Sequence, residues 1–266
     1  MKKAARFWVA GLLFVSLALV MLGCGAGDTK GKAASGKDSN AAKEKLVVGT
    51  DATYAPMEYM DKKQNIVGTD IDIVKAIAKE IGVEVEFKNY GWEPLFPAVS
   101  NGEVDLAVSS ITITDERKQE HDFTDPYYVA KQVILVPDDS RVEKFQDLKD
   151  KRVSVQINTT GHIVTKELLG KTSSKIVAAE TMPLAIDEML NGNADAAVGD
   201  NSVVNDYQKN NPNKSLKVIE DDSFEKEYYG LMVKKGNKAL VDNLNKGIQK
   251  IKDNGVLEKI TGFEVE

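Results

Sequence analysis

The chain has one cysteine, Cys24, in 266 residues, so no disulfide can form within it. It has two histidines, His121 and His162. They lie on separate segments without metal-ligand spacing, which removes a histidine-based metal centre. Ser109 and Ser110 lack the Gly-x-Ser-x-Gly turn of a nucleophile elbow, and no glycine-rich phosphate loop occurs. The expectation is therefore a protein with no catalytic residues, no metal and no cofactor. A membrane-spanning helix needs roughly 20 apolar residues, and the run from Phe7 to Leu22 is shorter. Basic residues are also scarce where a fold can form. Residues 1–45 hold eight of the 35 lysines and arginines and three of the 41 acidic residues, which leaves 27 basic against 38 acidic beyond them. That balance excludes nucleic acid as the expected partner and suits a cationic ligand.

At the N-terminus, Lys2, Lys3 and Arg6 precede the apolar run, and the run ends in Gly23-Cys24. This is the charged and apolar pattern of an export signal, residues 1–24. A single cysteine directly after such a run resembles a bacterial lipobox, which implies that Cys24 is lipidated. Met21-Leu22-Gly23 departs from that pattern, where leucine is preferred three residues before the cysteine. Residues 25–45 carry no aromatic or large aliphatic side chain, and such a stretch reads as a flexible tether.

The body beyond it alternates strand and helix patterns. Leu46–Thr50 is an apolar strand ending at Asp51. A helix is predicted from an N-cap at Thr69 or Asp70 to Gly82, with Ile71, Val74, Ala78 and Ile81 on one stripe. Val83–Phe87 alternates as a strand. Trp92 is expected in the following loop, before a short helix from about Pro94 to Ser100, and Val104–Val108 reads as a buried strand. A later helix from about Lys238 to Asn254 shows Leu240, Leu244, Ile248 and Ile251 on one face. An internal echo stands out: Asn101–Val108 and Asn191–Val198 share Asn-Gly, then Asp, then Ala-Val at the same spacing. Such alternation argues for parallel α/β units, and two such series suggest two similar lobes. The crossings are expected near Tyr127–Gln132 and Glu225–Tyr228. That gives lobe 1 as 46–131 with 226–266, and lobe 2 as 132–225.

The strand Val104–Val108 delivers Ser109 and Ser110 to its C-terminal end, where open α/β sheets bind ligands. Thr114 reads as a helix N-cap, with Asp115 and Glu116 in the first turn. Arg117 then sits at a helix start beside hydroxyls and free amides, a combination suited to holding a carboxylate. An ordinary surface pairing of Arg117 with Asp115 or Glu116 is the competing reading.

Taken together, Thr-Asp-Ala-Thr-Tyr-Ala-Pro (50–56), Gly-Thr-Asp-Ile-Asp (68–72), Asp-Leu-Ala-Val-Ser-Ser-Ile-Thr-Ile-Thr-Asp-Glu-Arg (105–117), Phe-Thr-Asp-Pro-Tyr-Tyr (123–128) and Asn-Thr-Thr-Gly (158–161) resemble the polar amino-acid-binding proteins of ABC importers. These are the family 3 extracellular solute-binding proteins, and the likeness is to arginine-, lysine- and histidine-binding lipoproteins among them. The resemblance implies two Rossmann-like lobes joined by a two-strand hinge, the periplasmic-binding-protein type II fold, closing on one ligand. It implies that Arg117 holds a ligand α-carboxylate with Thr112 and Thr160. Asp200, with Ser110, would take the α-ammonium, and Tyr54 and Trp92 would flank the side chain. Asp51 and Glu58 would meet a distal cation, with Ser109, Gln156 and Thr159 completing the wall. Asp200 and Thr160 also suit helix caps, and both rings also suit core packing. The implied ligand is a basic amino acid, arginine first, with glutamine as the alternative. The implied partners are an ABC permease with its ATPase, and the membrane through a lipid anchor. A monomer on the extracellular face of a Gram-positive cytoplasmic membrane fits that role. An exported dehydratase on the same scaffold is the competitor from another class.

Overall fold

The structure, a computed structural model, describes residues 45–265; the export leader, Cys24 and the tether up to residue 44 lie outside the described residues. Two sheets organise it, and their cores share one plan. In the first, strand Lys45–Thr50 lies between Glu84–Asn89 and Leu106–Ala107, all parallel. In the second, Val153–Gln156 lies between Ile176–Ala179 and Ala196–Asp200, again parallel. Each set is completed by antiparallel strands. Met232–Lys234 and His121–Phe123 extend the first sheet, and Tyr128–Pro137 and Leu216–Ile219 extend the second.

Helices make the crossovers at matching places. Thr69–Ile81 and Trp92–Asn101 link the parallel strands of the first lobe, and Thr160–Leu169 and Met182–Leu190 those of the second. The repeat seen in the sequence has one physical role in both. The side chain of Asp105 accepts the N–H of Val47 at 2.7 Å, and that of Asp195 accepts the N–H of Arg152 at 2.8 Å. Each aspartate ties the entry of its own strand to the start of the neighbouring one.

The apolar stripes are buried as their periodicity predicts. Ile71, Val74 and Ile77 pack with Leu244, Ile248 and Ile251 of the long helix Lys238–Asp253. Leu95, Val99 and Val104 fill the opposite face of the first sheet. Burying a side chain of this size is worth about 1.5–3 kcal/mol.

Three local expectations are corrected. The cap of helix Thr69–Ile81 is Gly68, so Asp70 lies inside the first turn and is fully buried. Trp92 is the first residue of its helix, after Gly91, and is not in a loop. The strand expected over Val104–Val108 is regular only at Leu106–Ala107, because the chain turns at once into the left-handed Ser110.

Two chain crossings join the lobes. Tyr128–Pro137 runs unbroken. Its first residues pair with Lys226–Tyr229, and those from Gln132 onward pair within the second sheet. Side chains on Lys226–Tyr229 alternate, with Lys226 and Tyr228 outward and Tyr229 buried.

Candidate functional site

Two parallel strands of each lobe end at one cleft. Asp51 follows Lys45–Thr50, and Ser109 and Ser110 follow Leu106–Ala107. Gln156 and Asp200 are the last residues of their own strands. Around the cleft lies one pocket with about 300 Å³ of space between atoms, part of it open to solvent. Its lining is Asp51, Tyr54, Glu58, Trp92, Ser109, Ser110, Thr112, Arg117, Gln156, Thr159, Thr160 and Asp200, so every site residue expected from the sequence meets there.

The first wall is acidic. Ser109 Oγ accepts the N–H of Asp51 and donates to Glu58 Oε1, both at 3.0 Å, and Ser110 Oγ donates to Glu58 Oε2 at 3.3 Å. Behind Glu58 lies Asp70, which the sequence offered, with Thr69, as a helix cap. Its Oδ2 accepts the Ser110 N–H at 2.7 Å and the Tyr127 hydroxyl at 2.9 Å. Burial, then the adjacent Asp70, pushes Glu58 well above the usual carboxylate range. Burial also raises Asp70 to about 6. Both shifts reflect the cost of holding two adjacent charges in a buried wall, a cost that a neighbouring cation reduces.

Arg117 is not an exposed arginine paired with Asp115 or Glu116. Thr114 caps the helix Asp115–Glu120 by accepting the Arg117 N–H at 3.1 Å. The guanidinium turns into the cleft and donates to the carbonyl oxygens of Thr112 (2.8 Å) and Asn158 (3.3 Å). It also lies over Trp92 and Phe96, at 5.3 and 5.5 Å from the ring centroids. Trp92 thus braces Arg117 as well as lining the cavity. Burial lowers Arg117 to about 10, against the pull of Glu227 and Asp200, so it stays charged.

The second wall comes from the other lobe. Thr159, not Thr160, caps helix Thr160–Leu169, accepting the His162 N–H at 3.3 Å. That leaves the Thr160 hydroxyl at the cleft wall, where it donates to Glu227 Oε2 at 2.7 Å. Gly161 packs closely here: a Cβ would lie 2.8 Å from Gln132 Oε1 and 3.2 Å from the Val198 carbonyl, so a larger residue would push on both. Asp200 precedes helix Asn201–Asn210 but makes no side-chain cap. Instead its carboxylate accepts from Gln132 and from the Tyr229 hydroxyl. Burial, then the charge of Glu227, raises it to about 6.

Gln156 Nε2 reaches across to Asp51 Oδ2 at 3.3 Å, and Asn158 Nδ2 to Glu93 Oε1 at 2.6 Å. Sequence reasoning missed Asp70, Gln132, Asn158, Glu227 and Tyr229. The alternation of Lys226–Tyr229 was the one available signal for the last two, since it turns Glu227 and Tyr229 to the same side.

The chain matches the model of the bacterial extracellular solute-binding proteins, family 3, over residues 46–262. It belongs to that family. A probable histidine-binding protein of Neisseria gonorrhoeae is 40% identical over 95% of this chain and 93% of its own length. The arginine-binding extracellular protein ArtP of Bacillus subtilis is 32% identical, with 95% of each chain covered. Among solved structures, the arginine-, lysine-, histidine-binding protein ArtJ from Geobacillus stearothermophilus superposes with a TM-score of 0.79 at 46% identity, covering 84% of this chain and 97% of its own. The two-lobed fold with its two-strand hinge agrees with that kinship.

Proposed function

We propose that this family 3 solute-binding protein captures a basic L-amino acid, arginine first, for an ABC importer. One observation carries the reading. The cavity lining sets three carboxyl side chains, Asp51, Glu58 and Asp200, against one guanidinium, Arg117. An amino acid with a cationic side chain is the complement: one carboxylate for Arg117, and two cations for the acids. A buried charge left unpaired is costly, so each group needs its partner. The histidine- and arginine-binding relatives support the same class of ligand.

In this reading Arg117 takes the α-carboxylate, Asp200 the α-ammonium, and Asp51 with Glu58 the distal cation. A cation entering beside Glu58 favours its ionised form. Tyr54 and Trp92 cover the methylenes, and Ser109, Ser110, Gln156 and Thr159 set the polar wall. The lobes close by hinge motion, and the closed form docks on a permease driven by its ATPase. Lipidation of Cys24 would hold the protein on the outer face of the cytoplasmic membrane, as a monomer. The protein is a binder and not an enzyme.

The deciding experiment is calorimetric titration of ligand-stripped protein with arginine and with glutamine, repeated on Asp51→Asn. Tight arginine binding that weakens more in the variant than any glutamine binding supports the reading. Glutamine heat alone would reject the distal pocket assignment while keeping Arg117 and Asp200. Turnover of any amino acid would reject the binding role.

A further inference from the structure

Glu227 has no part in the proposed ligand contacts, yet it holds both hydroxyls that the family resemblance gives to the ligand carboxylate. It sits on the return crossing Lys226–Tyr229, with its side chain turned toward the cleft. Its Oε2 accepts from Thr112 Oγ1 at 2.6 Å and from Thr160 Oγ1 at 2.7 Å. Its Oε1 accepts from Gln132 Nε2 at 2.9 Å. Thr112 belongs to one lobe, Thr160 to the other, and Gln132 to the other crossing, Tyr128–Pro137. A single carboxylate therefore ties both walls to the hinge.

A hydroxyl carries only one proton. While Thr112 and Thr160 donate to Glu227, neither can donate to another carboxylate. The two threonines line both the cleft pocket and a larger groove outside it, and Glu227 lines only the outer groove. It therefore stands against the cavity wall at the end where Arg117 lies. Its negative charge acts on both Arg117 and Asp200. Meanwhile Arg117 donates to two backbone carbonyls. Among the described residues it forms no ion pair within salt-bridge distance.

We infer that Glu227 is a built-in stand-in for the ligand carboxylate. With the cleft closed and no ligand bound, it occupies the Thr112 and Thr160 hydroxyls and balances Arg117. An arriving α-carboxylate must take those hydroxyls from it and tolerate its charge. Glu227 thereby sets a penalty specific to the carboxylate end of the ligand. This rests on the amino-acid reading above and deepens it, by naming a positioning residue that tunes affinity without touching the ligand's side chain.

The test compares wild type with Glu227→Gln, which keeps the shape and the acceptor oxygen but removes the charge. The probes are L-arginine and agmatine, which is arginine without its carboxylate. Glu227→Gln should bind L-arginine roughly three- to tenfold more tightly, because a neutral acceptor holds the hydroxyls about half as strongly and no longer repels the carboxylate. Agmatine, titrated in competition, should change by less than about twofold. Glu227→Ala should shift in the same direction, with thermal melts verifying that both variants fold. Weaker L-arginine binding in both variants, or an equal change for the two probes, would overturn the inference and make Glu227 a plain closure contact. If wild type binds no amino acid at all, the reading of the preceding subsection fails and takes this one with it.

Discussion

Asn158 Nδ2 stands 2.6 Å from Glu93 Oε1, and the two residues belong to opposite walls of the cleft. Asn158 is poised for this by a left-handed backbone (φ 56°) and by donating its own N–H to Nδ1 of His162 at 3.0 Å. Its carbonyl meets Arg117, so one residue closes on two partners of the other lobe. The Glu93 contact is exposed, and a bond of that kind is worth about 0.5–1.5 kcal/mol. Glu93→Ala should therefore raise the ligand dissociation rate a few-fold and leave association nearly unchanged. Trp92 is the only tryptophan besides Trp8 and lines the pocket, which makes its fluorescence the signal for stopped-flow measurement. An unaltered dissociation rate would show that this pair does not hold the cleft shut.

Arg117 should be the least replaceable side chain of the site. Losing one partner of a buried charged pair costs about 2–5 kcal/mol, so Arg117→Ala should lower arginine affinity accordingly. Arg117→Lys should recover only part of that loss. A lysine keeps the charge, but not the planar fork that spans the Thr112 and Asn158 carbonyls or its stacking on Trp92 and Phe96. Calorimetry on both variants checks this, and full recovery by lysine would mean that only charge matters there.

Binding should weaken in acid. Asp200, raised by burial and by Glu227 to about 6, must be ionised to receive an ammonium. Below that value, affinity should fall about tenfold per pH unit for each carboxylate that has to lose its proton. Asp200→Asn should flatten the slope. The stability of the unliganded protein runs the other way. A carboxyl whose folded value lies above its ordinary 3.8 holds its proton more tightly when folded. Its contribution is therefore complete below the ordinary value and is lost as pH rises through about 6. Titrations across this range, paired with melts of the unliganded protein, read both effects; an affinity constant through pH 6 would contradict the assignment.

Gly247 marks where the long C-terminal helix meets the first lobe. A Cβ there would lie 2.7 Å from Ile77 Cγ2 and 3.2 Å from the Ile77 carbonyl. Overpacking of such a contact costs about 1–3 kcal/mol. Gly247→Val should lower the unfolding free energy by that amount while leaving the arginine affinity of the folded fraction unchanged, because the contact is remote from the cleft. Unchanged stability would show that the helix can shift without cost.

Much of the site was legible because strand ends announce themselves in sequence. Apolar runs followed at once by Asp51, by Ser109-Ser110 and by Asp200 mark the C-terminal edges of parallel strands, and α/β sheets gather ligands there. Arg117 was legible through its N-cap, Thr114. Asp70 was misread for a physical reason. An aspartate at a helix start is usually a cap, and only the approach of Tyr127 and the Ser110 N–H from distant segments buries this one. Trp92 was placed in a loop because the helix begins at Gly91, a residue without a capping side chain.

The sequence by itself determined the α/β alternation, the duplicated Asn-Gly-x-x-Asp turn, the apolar stripes and the family likeness. All of these follow from local periodicity and short-range capping, which neighbouring residues decide among themselves. Tertiary structure alone decided who shares a hydrogen bond across the cleft. Thr112, Thr160, Gln132 and Glu227 are up to 115 residues apart in the chain and meet at one carboxylate. No local pattern encodes such a meeting, because it depends on two sheets facing each other across two short strands.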